Sequence, residues 1–274
     1  MPEGGRAPVI HYDVRGTDGP WVVTFHASGM SGRQWRRLAE RLEPGYRVAS
    51  LDFLGSGGNP PWPPDEPFDF RQDVAAAREV LNALDGPAHL VGHSYGGLVA
   101  LTAARLSPER VRSLAAYDPV AFGVLYGASD AVGLSDLDRV AQNPVFHDEA
   151  QGGQAAWFEA FVDFWNGPGA WNGLPPPARA EFLKVGRKVY REVRSLMEDR
   201  TPASAYACLA MPVLLLTGER SPLAAQRVVS LLAASLPQAT LETVPKAGHM
   251  GPITHAGEVD GRIAGALKFA GPRP

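Results

Sequence analysis

The segment Gly92-His93-Ser94-Tyr95-Gly96-Gly97 sets a hydroxyl nucleophile among small neighbours in a G-x-S-x-G pattern. An apolar run, Ala88 to Val91, stands before it, and a helical stretch, Leu98 to Leu106, follows. A chain turning sharply from strand to helix leaves the central serine strained at the strand's carboxyl end. Gly92 and Gly96 let neighbouring backbone pass close to it. The helix N-terminus aims N–H groups and positive dipole at negative charge developing on a substrate. In a chain with 30 glycines the bare pattern carries little weight. Its strand–turn–helix setting gives it weight; the bland alternative is a tight turn with an incidental serine.

Such a serine needs a base. Of seven histidines, His249 has the best context. It lies in Pro245 to Pro252 (PKAGHMGP), a glycine-flanked loop after the last expected strand. Loops beyond the carboxyl ends of strands are where ligands meet open α/β sheets. A serine followed late in the chain by a histidine also fits triad order. His255 reads as a surface or capping residue, and His93 as packing or hydrogen-bonding locally within the turn. His11, His26, His89 and His147 have no comparable loop.

The elements that must position these residues alternate. Strands are expected at Val22 to Phe25, Tyr46 to Leu51, Ala88 to Val91 and Val111 to Tyr117. Helices are expected at Ser31 to Leu42 and over 69–85. The second places Phe70, Val74, Ala77, Leu81 and Leu84 on one face, with Asp69 as its cap. This rhythm implies a mostly parallel sheet with helices on both faces. It breaks after Pro119. Residues 120–208 offer helices, best at Gln154 to Trp165 and Pro177 to Glu198, but no clear strand. Strands and helices then resume with Pro212 to Thr217, Ala224 to Leu236, Thr240 to Val244 and Gly257 to Phe269. The expected organisation is an α/β core, 1–119 and 209–274, carrying a helical cap, 120–208. A separate helical domain fits less well, because strands flank the block on both sides.

Composition excludes several classes. Of 274 residues, 45% are hydrophobic and 20% charged, so disorder is not expected. Lysine and arginine number 26 against 29 acidic residues, a net charge of −3, which offers no basic excess for a nucleic acid. The one cysteine, Cys208, permits no intrachain disulfide and suits a reducing cytoplasm. The N-terminal segment has no apolar stretch of a secretory signal, and the apolar runs are too short for a membrane span. No histidine or carboxylate spacing fits a metal site, and no glycine-rich segment fits a phosphate loop. A cytoplasmic protein without metal or cofactor is therefore expected.

The chain resembles the α/β-hydrolase family, specifically its lid-bearing single-domain members. The resemblance covers nearly the whole chain. It rests on His26-Ala27-Ser28-Gly29, Leu51-Asp52-Phe53-Leu54-Gly55-Ser56-Gly57, the Gly92 to Gly97 turn, Pro212 to Glu219 and Ala247-Gly248-His249. It implies that Ser94 is the nucleophile and His249 the base. It implies an oxyanion hole from the backbone N–H groups of Ser28 and Tyr95, and a structural turn at Asp52. Two departures stand out. Ala27 replaces the usual glycine of an H-G pair and narrows the allowed backbone. Ser221 occupies the place where the family usually carries its acid, in Gly218-Glu219-Arg220-Ser221. Some members place the acid one strand earlier, which here is Asp118. Neighbouring parallel strands lie only ~5 Å apart, so either position can serve one histidine. Asp118 is favoured over Glu219; a site with no acid is the third option.

The resemblance implies a serine carboxylesterase working through an acyl-enzyme. Carbon–carbon bond hydrolysis of a β-ketone-type substrate is the runner-up, and a non-catalytic ligand-binding protein the rival from another class. Residues 120–208 carry Trp157, Phe158, Phe161, Phe164, Trp165 and Trp171. Most read as core; Trp165 and Trp171 are candidates to line a pocket for an apolar part of a small-molecule substrate. Oligomeric state is not legible.

Overall fold

A single sheet of seven strands organises the computed structural model, which describes residues 10–269. The strands are β1 (Tyr12–Arg15), β2 (Trp21–Phe25), β3 (Arg47–Leu51), β4 (Ala88–His93), β5 (Val111–Tyr117), β6 (Val213–Gly218) and β7 (Ala239–Val244). Their order is β1-β3-β2-β4-β5-β6-β7. β1 runs antiparallel to β3, and every other pairing is parallel. Residues 1–9 and 270–274, the outer ends of the expected core segments and most of the stretch read for a leader, lie outside the described residues.

Side-chain alternation divides the core into two layers. Val23, Phe25, Leu90, Leu114, Val213 and Leu215 pack on one face. Val22, Val91, Ala115, Leu214 and Leu216 pack on the other. A strand buried on both faces needs apolar residues at every position, which is why Val213 to Leu216 reads as an unbroken apolar run. β1 was not expected. Tyr12-Asp13-Val14-Arg15 alternates apolar and polar residues, but the strand is only four residues long and all four are exposed.

Helices α1 (Arg36–Leu42), α2 (Phe70–Ala83) and α3 (Tyr95–Leu106) connect the first strands. α2 begins as expected at Asp69. The Asp69 side chain accepts from the first turn, and Gln72 reaches back to the Asp69 amide at 2.8 Å, a reciprocal capping box. Between β5 and β6 the chain forms only helices and turns: α4 (Gly123–Gly127), α5 (Ala131–Ala141), α6 (Pro144–His147), α7 (Ala155–Asn166), α8 (Ala170–Gly173), α9 (Pro176–Lys184) and α10 (Gly186–Glu198). The helix expected over Pro177 to Glu198 is thus two. The break falls at Val185, and at Gly186, the first residue of α10, a Cβ would lie 2.1 Å from the Gly153 carbonyl oxygen. That close backbone approach fixes the start of α10. The segment has a core of its own, with Trp157, Phe158, Trp171 and Tyr190 buried in it. After β6 come α11 (Leu223–Ser235), α12 (Gly251–Thr254) and α13 (Ala256–Phe269). No helix among the described residues is long and apolar enough to cross a membrane.

Candidate active site

Ser94 sits between β4 and α3 with φ 55° and ψ −119°, a conformation that costs a non-glycine residue about 1–3 kcal/mol. Its neighbours must be glycine for separate steric reasons. A Cβ on Gly92 would lie 2.4 Å from the Gly96 carbonyl oxygen. One on Gly96 would lie 2.3 Å from the Phe25 oxygen and 2.5 Å from the His26 oxygen. The turn is therefore pressed against the end of β2, where His26 to Gly29 begins.

Three buried side chains meet at the carboxyl ends of β4, β5 and β7. His249 Nε2 lies 3.0 Å from Ser94 Oγ, and His249 Nδ1 lies 3.1 Å from Asp118 Oδ2. Asp118 is fully buried and follows β5 directly. An ionised carboxylate only accepts, so Nδ1 carries the proton and Nε2 is free to accept from the serine hydroxyl. Asp118 has two further donors at 2.6 Å: Thr217 Oγ1 to Oδ1 and Ser221 Oγ to Oδ2. Glu219, the competing acid, is exposed and accepts instead from the Lys246 amide at 2.7 Å.

His93 bonds well beyond its own turn, contrary to the local role expected. Its Nε2–H donates to the His249 carbonyl at 2.8 Å. Its Nδ1 accepts from Gln34 Nε2 at 2.9 Å, and Gln34 Oε1 accepts from the Ala27 amide at 2.8 Å. One glutamine thus ties the His26–Gly29 loop to the serine turn, and through it to the His249 loop. Burial, with His249 alongside, holds the His93 pKa well below the ordinary value, so it stays neutral. His26 is neutral for the same dominant reason, burial, which lowers its pKa to about 4. Its ring bridges the Ala27 carbonyl at 2.7 Å and the Phe53 amide at 3.1 Å. Among the described residues, the amides of Ser28 and Tyr95 meet no protein acceptor.

Ser28 and Ser94 line a partly open cavity of about 20 Å³, walled by apolar side chains including Val120, Phe122, Phe164 and Trp165. That volume holds about one water. The Trp165 ring stacks on the His249 imidazole, centroids 3.8 Å apart and planes 20° from parallel. Trp171 is placed elsewhere. It stacks on Phe158 at 5.3 Å inside the helical segment's own core and does not line this cavity. Asp52 is the structural turn expected, accepting from the amides of Gly32 at 2.7 Å and Gly58 at 2.8 Å. Among the described residues, no three His, Cys, Asp or Glu side chains gather as metal ligands would.

Sequence reasoning missed Gln34, Thr217 and the contacts of His26. None sits in a motif; each acts across the fold, so no local spacing marks it. Ser221 alone carried a signal, as a polar residue where an acid was expected.

The family model for the alpha/beta hydrolase family matches residues 22–261. Lipase LipV of Mycobacterium tuberculosis is 33% identical over 171 residues, 61% of this chain and 58% of the lipase. The chain thus covers less than two thirds of that relative's length. A pimeloyl-[acyl-carrier protein] methyl ester esterase of Chromobacterium violaceum is 29% identical over 246 residues, 86% of this chain and 90% of the esterase. The solved structure of a thermophilic esterase from Thermogutta terrifontis superposes with a TM-score of 0.70 at 21% identity, over 96% of this chain and 94% of that one. The fold, the serine turn and the span of the family match lead to one assignment: this chain belongs to the alpha/beta hydrolase family.

Proposed function

We propose that the chain hydrolyses a small to medium carboxylic ester with an apolar acyl portion, through an acyl-enzyme on Ser94. The observation that carries this reading is the hydrogen-bonded line from Ser94 Oγ through His249 to Asp118. Ser94 Oγ attacks the ester carbonyl carbon while His249 Nε2 takes its proton. Asp118 keeps the proton on Nδ1 and stabilises the imidazolium that forms. The amides of Ser28 and Tyr95 receive the oxyanion. His249 returns the proton to the leaving alcohol, and a water deprotonated by His249 then releases the acid. The step draws on this chain's own residues, without a cofactor. Residues 120–208 act as the cap that closes the cavity.

The sequence relatives named as lipase and methyl ester esterase support ester chemistry. The apolar cavity wall supports an apolar acyl group. Purified protein should label with a fluorophosphonate at Ser94 and hydrolyse p-nitrophenyl acyl esters. Labelling with turnover of a vinylogous diketone but of no ester would replace ester by carbon–carbon cleavage. Absence of both labelling and turnover would leave a binding protein.

A further inference from the structure

Beneath the cavity lies a second group of buried ionisable side chains that the proposed reaction does not use. Lys188 and Glu192 lie one turn apart on α10, and Asp73 projects from α2; none is more than 3% exposed. Lys188 Nζ donates to Asp73 Oδ2 at 2.8 Å and to Glu192 Oε1. The ammonium also lies 4.3 Å from the centre of the Phe68 ring. Burial favours a neutral lysine, but the two carboxylates outweigh it and raise the Lys188 pKa.

One contact runs from this cluster to a residue whose amide is assigned to the oxyanion. The Tyr95 hydroxyl donates to Asp73 Oδ2 at 2.7 Å. Glu192 Oε2 is fully buried and has no hydrogen-bond partner among the described residues, so Glu192 is tied to the cluster through Lys188. The adjacent residue Val193, and Leu196 one turn on, line the cavity that holds Ser28 and Ser94. The cluster therefore stands directly behind the cavity wall. Burying three ionisable groups is a poor way to stabilise a fold, since well-packed apolar residues do as well or better. A geometric task accounts for them better.

We infer that Asp73, Lys188 and Glu192 are positioning residues for the oxyanion hole, holding the Tyr95 side chain so that its amide keeps its direction. The inference rests on the serine-hydrolase reading above. It also makes assembly of the hole depend on α10 being docked, because both Lys188 and Glu192 come from that helix.

The test compares Glu192→Ala and Glu192→Gln with the parent, each normalised to folded protein. Two inhibitors serve as probes: a trifluoromethyl ketone, which forms a tetrahedral adduct bearing an oxyanion, and its methyl ketone analogue, which reports ground-state binding. Glu192→Ala should lower kcat and trifluoromethyl ketone affinity about tenfold each, with methyl ketone affinity and KM within about twofold. Glu192→Gln, which keeps shape and hydrogen bonding, should recover most of the loss. Tyr95→Phe combined with Glu192→Ala should cost little more than either alone. Equal weakening of both ketones, or multiplicative effects of Tyr95→Phe and Glu192→Ala, would overturn the inference. Failure of the parent protein to label at Ser94 defeats the underlying reading; a labelled parent with Glu192→Ala unimpaired defeats only this one.

Discussion

Ser221 Oγ donates to Asp118 Oδ2 at 2.6 Å, across the ends of β6 and β5. The residue standing where an acid was expected supports a carboxylate from the neighbouring strand. The exchange has a physical logic. A second carboxylate there would repel Asp118 and raise the pKa of one of the pair. A hydroxyl instead offers a donor, and Thr217 offers another to the far oxygen. The two donors fix the plane of the Asp118 carboxylate toward His249.

Asp118→Asn should therefore lose about four orders of magnitude in kcat, the scale of a wrong-tautomer defect in a well-studied triad. Glu219→Gln should stay within about twofold, since its carboxylate serves the Lys246 amide. Adding Ser221→Asp to Asp118→Asn should recover part of the rate. Retention of more than a tenth of kcat in Asp118→Asn means a loss below about 1.4 kcal/mol, too small for the acid of a triad.

Ser94→Ala should abolish ester turnover and fluorophosphonate labelling while leaving the melting temperature near that of the parent. Alanine inherits the same strained backbone and loses only the hydroxyl. Labelling that persists would move the nucleophile to another residue.

Gln34→Leu should cost about tenfold in kcat. It removes the acceptor of the Ala27 amide and the donor to His93 together. A buried donor left without an acceptor costs about 1–3 kcal/mol and is relieved by moving the loop. Ala27→Gly should change kcat far less, because the Ala27 amide already belongs to Gln34. The two variants measured side by side separate loop anchoring from loop freedom. Equal effects would mean that the methyl group itself shapes the hole.

Much of this was legible in the sequence because it is local. The serine turn announces itself by glycines whose Cβ atoms would collide with backbone. α2 shows its face by spacing and its start by Asp69. What escaped is what depends on tertiary placement. β1 is four residues long and exposed on both faces, so its short alternation lacks the apolar run that marks the buried strands. His93 sits inside the motif but bonds to a carbonyl 156 residues away. Trp165 and Trp171 look alike in sequence, yet only Trp165 reaches His249, because α7 ends over the sheet while α8 turns back into the helical segment.

Trp165→Leu should lower kcat about fivefold with a smaller change in KM. An aromatic face against a cation contributes about 1 kcal/mol, and the proposed reaction places such a charge on the His249 ring as the proton leaves Ser94. Trp165→Phe keeps a face and should lose less. A rise in KM at constant kcat would reduce Trp165 to a cavity wall.

Acid sensitivity should come from buried neutral histidines, and His89 isolates the effect from the site. It is 1% exposed, pairs with Ser113 Oγ at 2.7 Å, and has its pKa lowered to about 4, chiefly by burial and then by Arg112. The unfolded chain binds this proton near pH 6.5, and the folded chain only near 4. The stabilisation is therefore complete above about 6.5 and is lost as pH falls toward 4, up to about 3 kcal/mol in all. His26 and His93 act with the same sign. Asp260 acts with the opposite sign, because burial raises its pKa to about 6 and the folded state takes up that proton first. It offsets about one of the three histidines between pH 6 and 4. His89→Gln keeps a polar partner for Ser113 but removes the titration. Its melting temperature should fall less than that of the parent between pH 7.5 and 5, while the two share the Asp260 contribution. Parallel melting curves across that range would show that His89 titrates alike in both states and would remove it from the account.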